Sequence, residues 1–259
     1  MSVLEDGGLG AVTEGSMDPE ASSLHDQLKV FARELGVLYS AERVRSRELE
    51  QALEKARQMY VATLKSLAYV VEAKDPTTRG HLDRTAHYGL ALTRAIDRSL
   101  AAKPEVAYGF FLHDIGKVGV PESILCKAGS LTELEWIVMR SHPNQGAKIL
   151  EPIPFMGEAV EIVRSHHEHW DGGGYPKGLR GEQIPLAARI FAIADSFDAM
   201  TSDRPYRSAL TMEEAVAEIK AGAGTQFDPL CVEAFESLVV GDDGFVLRDR
   251  RLASSVVVV

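Results

Sequence analysis

The sequence predicts an all-α protein with a long N-terminal helix. Apolar residues recur every three or four positions through much of the chain, the period of helices that bury one face. Residues 60–240 show almost none of the period-two alternation of half-buried strands. Histidines also fall repeatedly at the ends of the predicted helices, and helical bundles build metal sites from such facing helices.

The composition restricts the class of protein. A chain of 259 residues, 45% hydrophobic and 25% charged, has room for one large domain or a moderate domain with an extension. It contains no run near the roughly 20 apolar residues of a membrane span, and its N-terminus lacks signal-peptide features. Cys126 and Cys231 are interpreted as reduced thiols, which predicts a cytoplasmic location. The net charge of −10 argues against binding a nucleic-acid polymer.

The N-terminal third is predicted to be an extended helical arm. Residues 1–22 are rich in Gly, Ser, Asp and Glu and are expected to be a disordered leader. From about Ser23 an apolar stripe begins that favours a coiled-coil arm over residues 23–63 and a homodimer through it. The stripe consists of Leu24, Leu28, Phe31, Leu35 and Leu38. The polar residues Glu42, Arg43, Arg45, Ser46 and Arg47 interrupt it, so two separate helices packed on the following domain are the alternative.

A helical domain is predicted over residues 64–240, followed by a tail at 241–259. Pro76 should end the arm helix near Asp75, and the next helix should begin near His81. Thr132 and Thr211 are expected to cap the starts of two further helices. The other helices are predicted at 104–112, 144–150, 159–165, 185–200 and 229–239.

Histidines and carboxylates at the helix ends form a candidate metal site. His113 and Asp114 close an apolar run, which places an imidazole beside a carboxylate that can bridge two ions. Other candidate ligands at predicted helix ends or junctions are His81, His142, His166 and His167. Asp195 joins them from within the apolar helix predicted at 185–200, where an aspartate is rarely buried unless it is paired or binds a metal. This set suffices for two metals with positions left for water and substrate. No Cys-x-x-Cys motif accompanies it, which disfavours a structural zinc site.

Other residues near these ligands have the chemistry to bind phosphate or a base. Lys117 follows His113 by one helical turn, and Arg204 and Arg207 have a spacing that can converge on a phosphate. Tyr175 lies in the glycine-rich segment 172–181, which is either a mobile loop over the site or a connector. His25, His87 and His169 are expected to lie outside the site.

The combined motifs resemble a known family. The order His81, His113-Asp114, His142, His166-His167, Asp195 is similar to the HD phosphohydrolase superfamily. The segments His113–Lys117 and His166–Pro176 resemble the HD-GYP domain more narrowly, and the likeness covers roughly residues 64–236. The resemblance implies an HD-domain helical bundle that hydrolyses the bacterial second messenger cyclic di-GMP to pGpG or to GMP.

The resemblance also implies roles for these residues. The seven candidate ligands would hold two metals bridged by Asp114, most readily iron or manganese, and a hydroxide shared by the ions would attack phosphorus. Lys117 would stabilise the charge that develops, Arg204 and Arg207 would hold phosphate, and Tyr175 would contact the ligand. Some family members hold a third metal through a Glu where this chain has Thr77, so two metals are expected. The family also makes a cyclic di-GMP synthase a candidate partner of the Gly-Tyr-Pro loop.

Two alternatives to a cyclic di-GMP phosphodiesterase stay open. The domain could be a non-catalytic signalling module that responds to metal and cyclic dinucleotide. It could also be an HD phosphohydrolase that acts on another nucleotide. The complete ligand set and Lys117 argue against the first, and the Gly-Tyr-Pro loop argues against the second.

Overall fold

The structure of the protein is a computed structural model that describes residues 19–74, 80–203 and 208–240. In these ranges the chain forms helices joined by turns and loops. Within these ranges there is no strand, only an isolated bridge between Ala223 and Phe227. The helices are α1 (Pro19–Lys74), α2 (His81–Ile96), α3 (Arg98–Ala101), α4 (Pro104–Leu112), α5 (Glu122–Leu125), α6 (Glu133–Met139), α7 (His142–Leu150), α8 (Gly157–Ser165), α9 (Leu186–Thr201), α10 (Met212–Ala221) and α11 (Pro229–Val240). Short 3₁₀ turns cover Ile115–Gly119 and Gly181–Gln183. The predicted all-α class is confirmed.

The chain divides into two units, Met1–Met59 and Tyr60–Val259. The boundaries predicted at residues 22, 63 and 240 stay predictions. Most of the expected leader, residues 1–18, and the expected tail, 241–259, lie outside the described residues. No helix among the described residues combines the length and the apolarity needed to cross a bilayer.

Helix α1 is continuous through residues 42–47, so the alternative of two separate helices is wrong. Glu and Arg are good helix formers, and their polarity interrupts the apolar stripe without interrupting the backbone. The helix begins at Pro19 rather than at Ser23. Within the first unit the stripe residues Leu28, Phe31 and Leu35 are each more than half exposed.

The core of the second unit lies between α2, α4, α8 and α9. Helix α4 starts with Pro104, whose fixed φ suits a first helical position, and buries every side chain from Val106 to Leu112. Phe110 of α4 stacks on Phe191 of α9 with ring centroids 4.8 Å apart. This packing fixes the C-terminal end of α4, where His113 and Asp114 follow.

The start of α2 is joined to the end of α1 by hydrogen bonds, among them those from Tyr69 to Asp83 and from Leu82 to Glu72. The N-cap residue of α2, Gly80, has no side chain to accept from the first N–H groups of the helix. Glu72 of α1 serves instead, because its Oε1 accepts from the backbone N–H of Leu82 at 3.1 Å. The helix that begins at His81 is therefore capped by a residue of α1.

Candidate metal centre

Three histidines of the centre are held by the same local arrangement. His113, His142 and His166 each lie at a helix junction, and each Nδ1 lies 2.8–2.9 Å from the backbone carbonyl oxygen three residues earlier. A carbonyl can only accept a hydrogen bond, so each Nδ1 carries the proton and donates it. The Nε2 atoms are left bare and available to bind a metal.

The folded chain brings six of the seven predicted ligands into two donor groups that share Asp114. Within each group the ligand atoms lie within 4.8 Å of one another. One group is His81, His113 and Asp114, and the other is Asp114, His142, His166 and His167. The seventh residue, Asp195, adjoins the first group, with its Oδ1 3.2 Å from His81 Nε2 and 3.9 Å from His113 Nε2. A carboxylate common to both groups fits a bridging ligand.

The contact between His142 and His166 fits a cation between them. Their Nε2 atoms are 3.3 Å apart, and both Nδ1 protons are already donated to carbonyls. Burial lowers the pKa of His142 to about 4, and burial with the nearby His167 lowers that of His166 well below its usual value. Both rings are therefore neutral at pH 7, and two facing lone pairs repel each other unless a cation is bound.

Two buried polar atoms of the centre point to the same conclusion. His113 Nε2 and Asp114 Oδ1 have no hydrogen-bond partner within the described part of the chain. Buried polar atoms are normally paired, so a site with two unpaired ligand atoms is built for something else. Burial acts to raise the pKa of Asp114, but Lys117 and His113 outweigh it and hold that pKa well below its usual range. The carboxylate is thus ionised and ready to bind a cation.

His81 is oriented by a carboxylate rather than by a carbonyl. Its Nδ1 lies 2.8 Å from Oδ2 of the buried Asp198, which also binds the guanidinium of Arg84 at 2.5 and 3.0 Å. Burial acts to lower the pKa of His81, but hydrogen bonds to Asp195 and Asp198 outweigh it and raise the pKa to about 9. The metal-facing Nε2 is directed by this contact towards Asp195.

Lys117 lies at the centre itself. Its Nζ is 2.6 Å from Asp114 Oδ2, and the 3₁₀ turn Ile115–Gly119 that carries it packs against α7. That packing needs Gly116, because a Cβ there would lie 2.0 Å from the carbonyl oxygen of His142 and 2.5 Å from the backbone nitrogen of Gly146. The glycine therefore allows two ligand-bearing segments to touch through their backbones.

The Gly-Tyr-Pro segment is folded against the ligands. The Tyr175 ring lies 4.8 Å from the His167 ring, and its backbone N–H donates to the His167 carbonyl. The buried Glu168 accepts from the backbone N–H groups of Lys177 and Leu179, which anchors the loop. At Gly174 a Cβ would lie 2.2 Å from the backbone nitrogen of His169, so the loop needs a glycine there. Tyr175 is half-buried beside the centre, and burial raises its pKa.

Three residues considered in the sequence, Arg204, Arg207 and Thr77, fall outside the described residues. His25, His87 and His169 are not members of the two donor groups. The sequence motifs assigned no role to Asp198 or Glu168. Asp198 lies within the apolar helix predicted at 185–200, and an aspartate in such a helix is rarely buried unless it is paired.

Comparison with known proteins identifies similar sequences. The family model described as HD domain matches residues 65–230. A probable cyclic di-GMP phosphodiesterase of Vibrio cholerae is 41% identical over 68% of this chain and 44% of its own length. The cyclic di-GMP phosphodiesterase response regulator RpfG of Xanthomonas campestris is 42% identical over 66% of this chain and 46% of its own. A 3′3′-cGAMP-specific phosphodiesterase of Vibrio cholerae is 40% identical over 65% and 33%. The chain thus spans less than half the length of these curated relatives.

A solved structure gives the same fold. A cyclic GMP-AMP-specific phosphodiesterase of V. cholerae superposes with a TM-score of 0.54 at 23% identity, over 74% of this chain and 52% of that one. A second match is an HD-GYP-type protein of Bdellovibrio bacteriovorus, with a TM-score of 0.51 at 19% identity, over 62% and 52%. At these identities the likeness concerns the fold alone.

Proposed function

Because this chain belongs to the HD domain family, we propose that it is a metal-dependent phosphodiesterase that hydrolyses cyclic di-GMP to pGpG or to GMP. The observation that carries the proposal is the pair of donor groups that share Asp114. The names of the curated relatives support a cyclic dinucleotide as the substrate class, and they include both cyclic di-GMP and 3′3′-cGAMP.

The residues present divide the work between binding metal and binding substrate. His81, His113, Asp114, His142, His166, His167 and Asp195 would hold two divalent ions. Such ions turn bound water into a strong nucleophile at neutral pH, and five imidazoles favour iron or manganese over magnesium. Lys117, 2.6 Å from Asp114, would place its ammonium against the phosphoryl oxygens as negative charge develops there. Tyr175 would contact the nucleotide, and Arg204 and Arg207 would bind phosphate.

Turnover by the full chain tests this proposal. Metal-depleted protein is reloaded with Mn or Fe and incubated with cyclic di-GMP and with cyclic GMP-AMP, and the products are separated by chromatography. We expect cyclic di-GMP to be converted to pGpG or GMP, and chelation to stop the reaction. Metal analysis should give two ions per chain, and three would contradict the argument from Thr77.

Matched variants separate the enzyme from the alternatives. Asp114→Asn should lose both bound metal and turnover, whereas His25→Ala, a histidine outside the centre, should keep both. Lys117→Met should keep the metal and lose about 100-fold or more in kcat, as loss of a charge-stabilising group does elsewhere. Binding of cyclic di-GMP by the wild type without hydrolysis would establish the non-catalytic module instead. Hydrolysis of other nucleotides alone would establish the other phosphohydrolase class.

The remaining expectations on partners are part of the same proposal. The exposed apolar stripe of α1 supports a homodimer through that helix. Contact of the Gly-Tyr-Pro loop with a cyclic di-GMP synthase stays a prediction, as does a cytoplasmic location.

A further inference from the structure

A cation lies close to two aromatic rings beside the metal centre. The Arg140 guanidinium carbon is 5.5 Å from the centroid of the Tyr175 ring and 5.4 Å from that of Trp136. Tyr175 in turn lies 4.8 Å from the ring of His167, one of the candidate ligands. The three side chains, Trp136, Arg140 and Tyr175, which we call the aromatic–arginine cluster, therefore run outward from the metal centre.

The cluster has no evident structural task in the core. Helix α6, which carries Trp136 and is followed by Arg140, contains no buried residue. Trp136 is 43% exposed, an unusual fraction for the largest apolar side chain in a protein. Within the described ranges no carboxylate lies at ion-pair distance from Arg140, and Arg140 is itself exposed.

The chemistry of the cluster matches a purine base. The flat face of an exposed Trp or Tyr stacks on any base, and this contact does not depend on base identity. An arginine fork donates two hydrogen bonds to O6 and N7 of guanine, whereas adenine offers an amino donor in place of O6. The guanidinium of Arg140 lies within 5.5 Å of the ring centroids of both Tyr175 and Trp136, and a planar guanidinium stacks favourably on such aromatic faces.

We propose that the aromatic–arginine cluster binds a base of the substrate and that Arg140 makes the site selective for guanine over adenine. This inference rests on the phosphodiesterase activity proposed above and adds base specificity to it. The stacking face is supplied by Trp136, and the guanine-reading donors are supplied by Arg140. The two residues therefore have separable effects.

The test compares cyclic di-GMP, 3′3′-cyclic GMP-AMP and cyclic di-AMP on the full metal-loaded chain. Arg140→Ala should lower kcat/KM for cyclic di-GMP by about ten- to a hundredfold, the range for loss of a bidentate contact to guanine, and should leave the value for cyclic di-AMP within about threefold. Arg140→Lys should not restore the guanine preference, because an ammonium lacks the planar fork. Trp136→Ala should lower kcat/KM for all three substrates by similar factors. Arg94→Ala, an exposed arginine on α2, is the matched control and should change nothing.

Two further measurements keep the inference separate from a structural role and from the proposed function. Arg140 lies only two residues before His142, so metal content and melting temperature are measured for each variant. Both should equal those of the wild type. If the wild type hydrolyses no cyclic dinucleotide, the proposed function fails, and equilibrium binding of the three compounds to the same variants decides the present inference. An unchanged ratio of cyclic di-GMP to cyclic di-AMP in Arg140→Ala, by turnover or by binding, would overturn it.

Discussion

The ligand histidines are oriented by two different kinds of acceptor. His113, His142 and His166 donate Nδ1–H to carbonyls of their own preceding turns, so their orientation comes from local helix geometry. The Nδ1 of His81, at the start of α2, instead has the carboxylate of Asp198 of α9 as its partner. The position of His81 thus depends on a contact between residues 117 positions apart.

Replacing Asp198 should weaken metal binding through His81. Asp198→Asn keeps the size of the side chain but removes the charge that binds both His81 and Arg84. Loss of such a supporting partner typically lowers metal affinity by about 10- to 100-fold, and we expect that range here. Competition with a chelating dye measures the affinity, and Asp97→Asn, which removes a carboxylate remote from the centre, should keep the wild-type value. An equal affinity in Asp198→Asn would refute the assigned role.

At the scale of elements, the 3₁₀ turn after Asp114 and helix α7 meet through backbone atoms. Gly116→Ala would force a Cβ into the His142 carbonyl oxygen, and we expect the free energy of unfolding to fall by about 3 kcal/mol or more. Gly129→Ala is the matched control, because a Cβ there has no atom within 4 Å, and it should change stability by less than about 1 kcal/mol. Urea unfolding of both variants measures the difference. Equal midpoints would contradict the close approach.

The exposed stripe of α1 leads to a second prediction at this scale. Two chains that paired through Leu28, Phe31 and Leu35 would bury side chains that are each more than half exposed in one chain. We expect sedimentation to give a dimer, and Leu28→Lys with Leu35→Lys to give a monomer at the same concentration. Arg33→Gln, off the stripe, should stay dimeric. A wild-type monomer at high concentration would rule out the coiled coil.

Much of this arrangement of elements is predictable from sequence. Helix α4 has the predicted bounds, Pro104–Leu112, because a proline start and an all-apolar run are local signals. Thr132 and Thr211 cap their helices as predicted, each in a capping box, with Glu135 and Glu214 respectively. Contacts between distant segments are not predictable in this way. Periodicity places Asp198 on a helix, but it does not tell that its carboxylate meets His81 and Arg84 of another helix.

For the molecule as a whole, bound metal should contribute a large part of the free energy of unfolding. A ligand that binds only the folded chain stabilises it by about 2.7 kcal/mol at 100 times its dissociation constant, roughly 5–10 °C in melting temperature for a chain of this size. We expect Mn to raise the melting temperature of the chelated protein by this amount and Asp114→Asn to abolish the increase. Equal melting temperatures with Mn and with chelator would contradict metal binding by these residues.

The same measurement has a predicted pH dependence. The pKa of His81 is raised to about 9, so a metal must displace a proton from this ring at neutral pH. The apparent affinity, and with it the increase in melting temperature, should therefore be smaller at pH 6 than at pH 8. His142 and His167, with pKa values lowered mainly by burial to about 4 and about 3, add no such dependence in this interval. A larger increase in melting temperature at pH 6 than at pH 8 would contradict this prediction.

The hydrogen bond from Leu82 to Glu72 couples the rotation of α1 to the start of α2, where His81 lies. Successive helical residues are about 100° apart, so even a fraction of that rotation about the axis of α1 would carry Glu72 away from the Leu82 N–H and uncap the helix that begins at His81. Coupling between two places is reciprocal, so occupation of the centre that shifts His81 must also bias the rotation of α1. Rotation of α1 about its axis is therefore a physical route for an input signal to reach the candidate metal ligand His81.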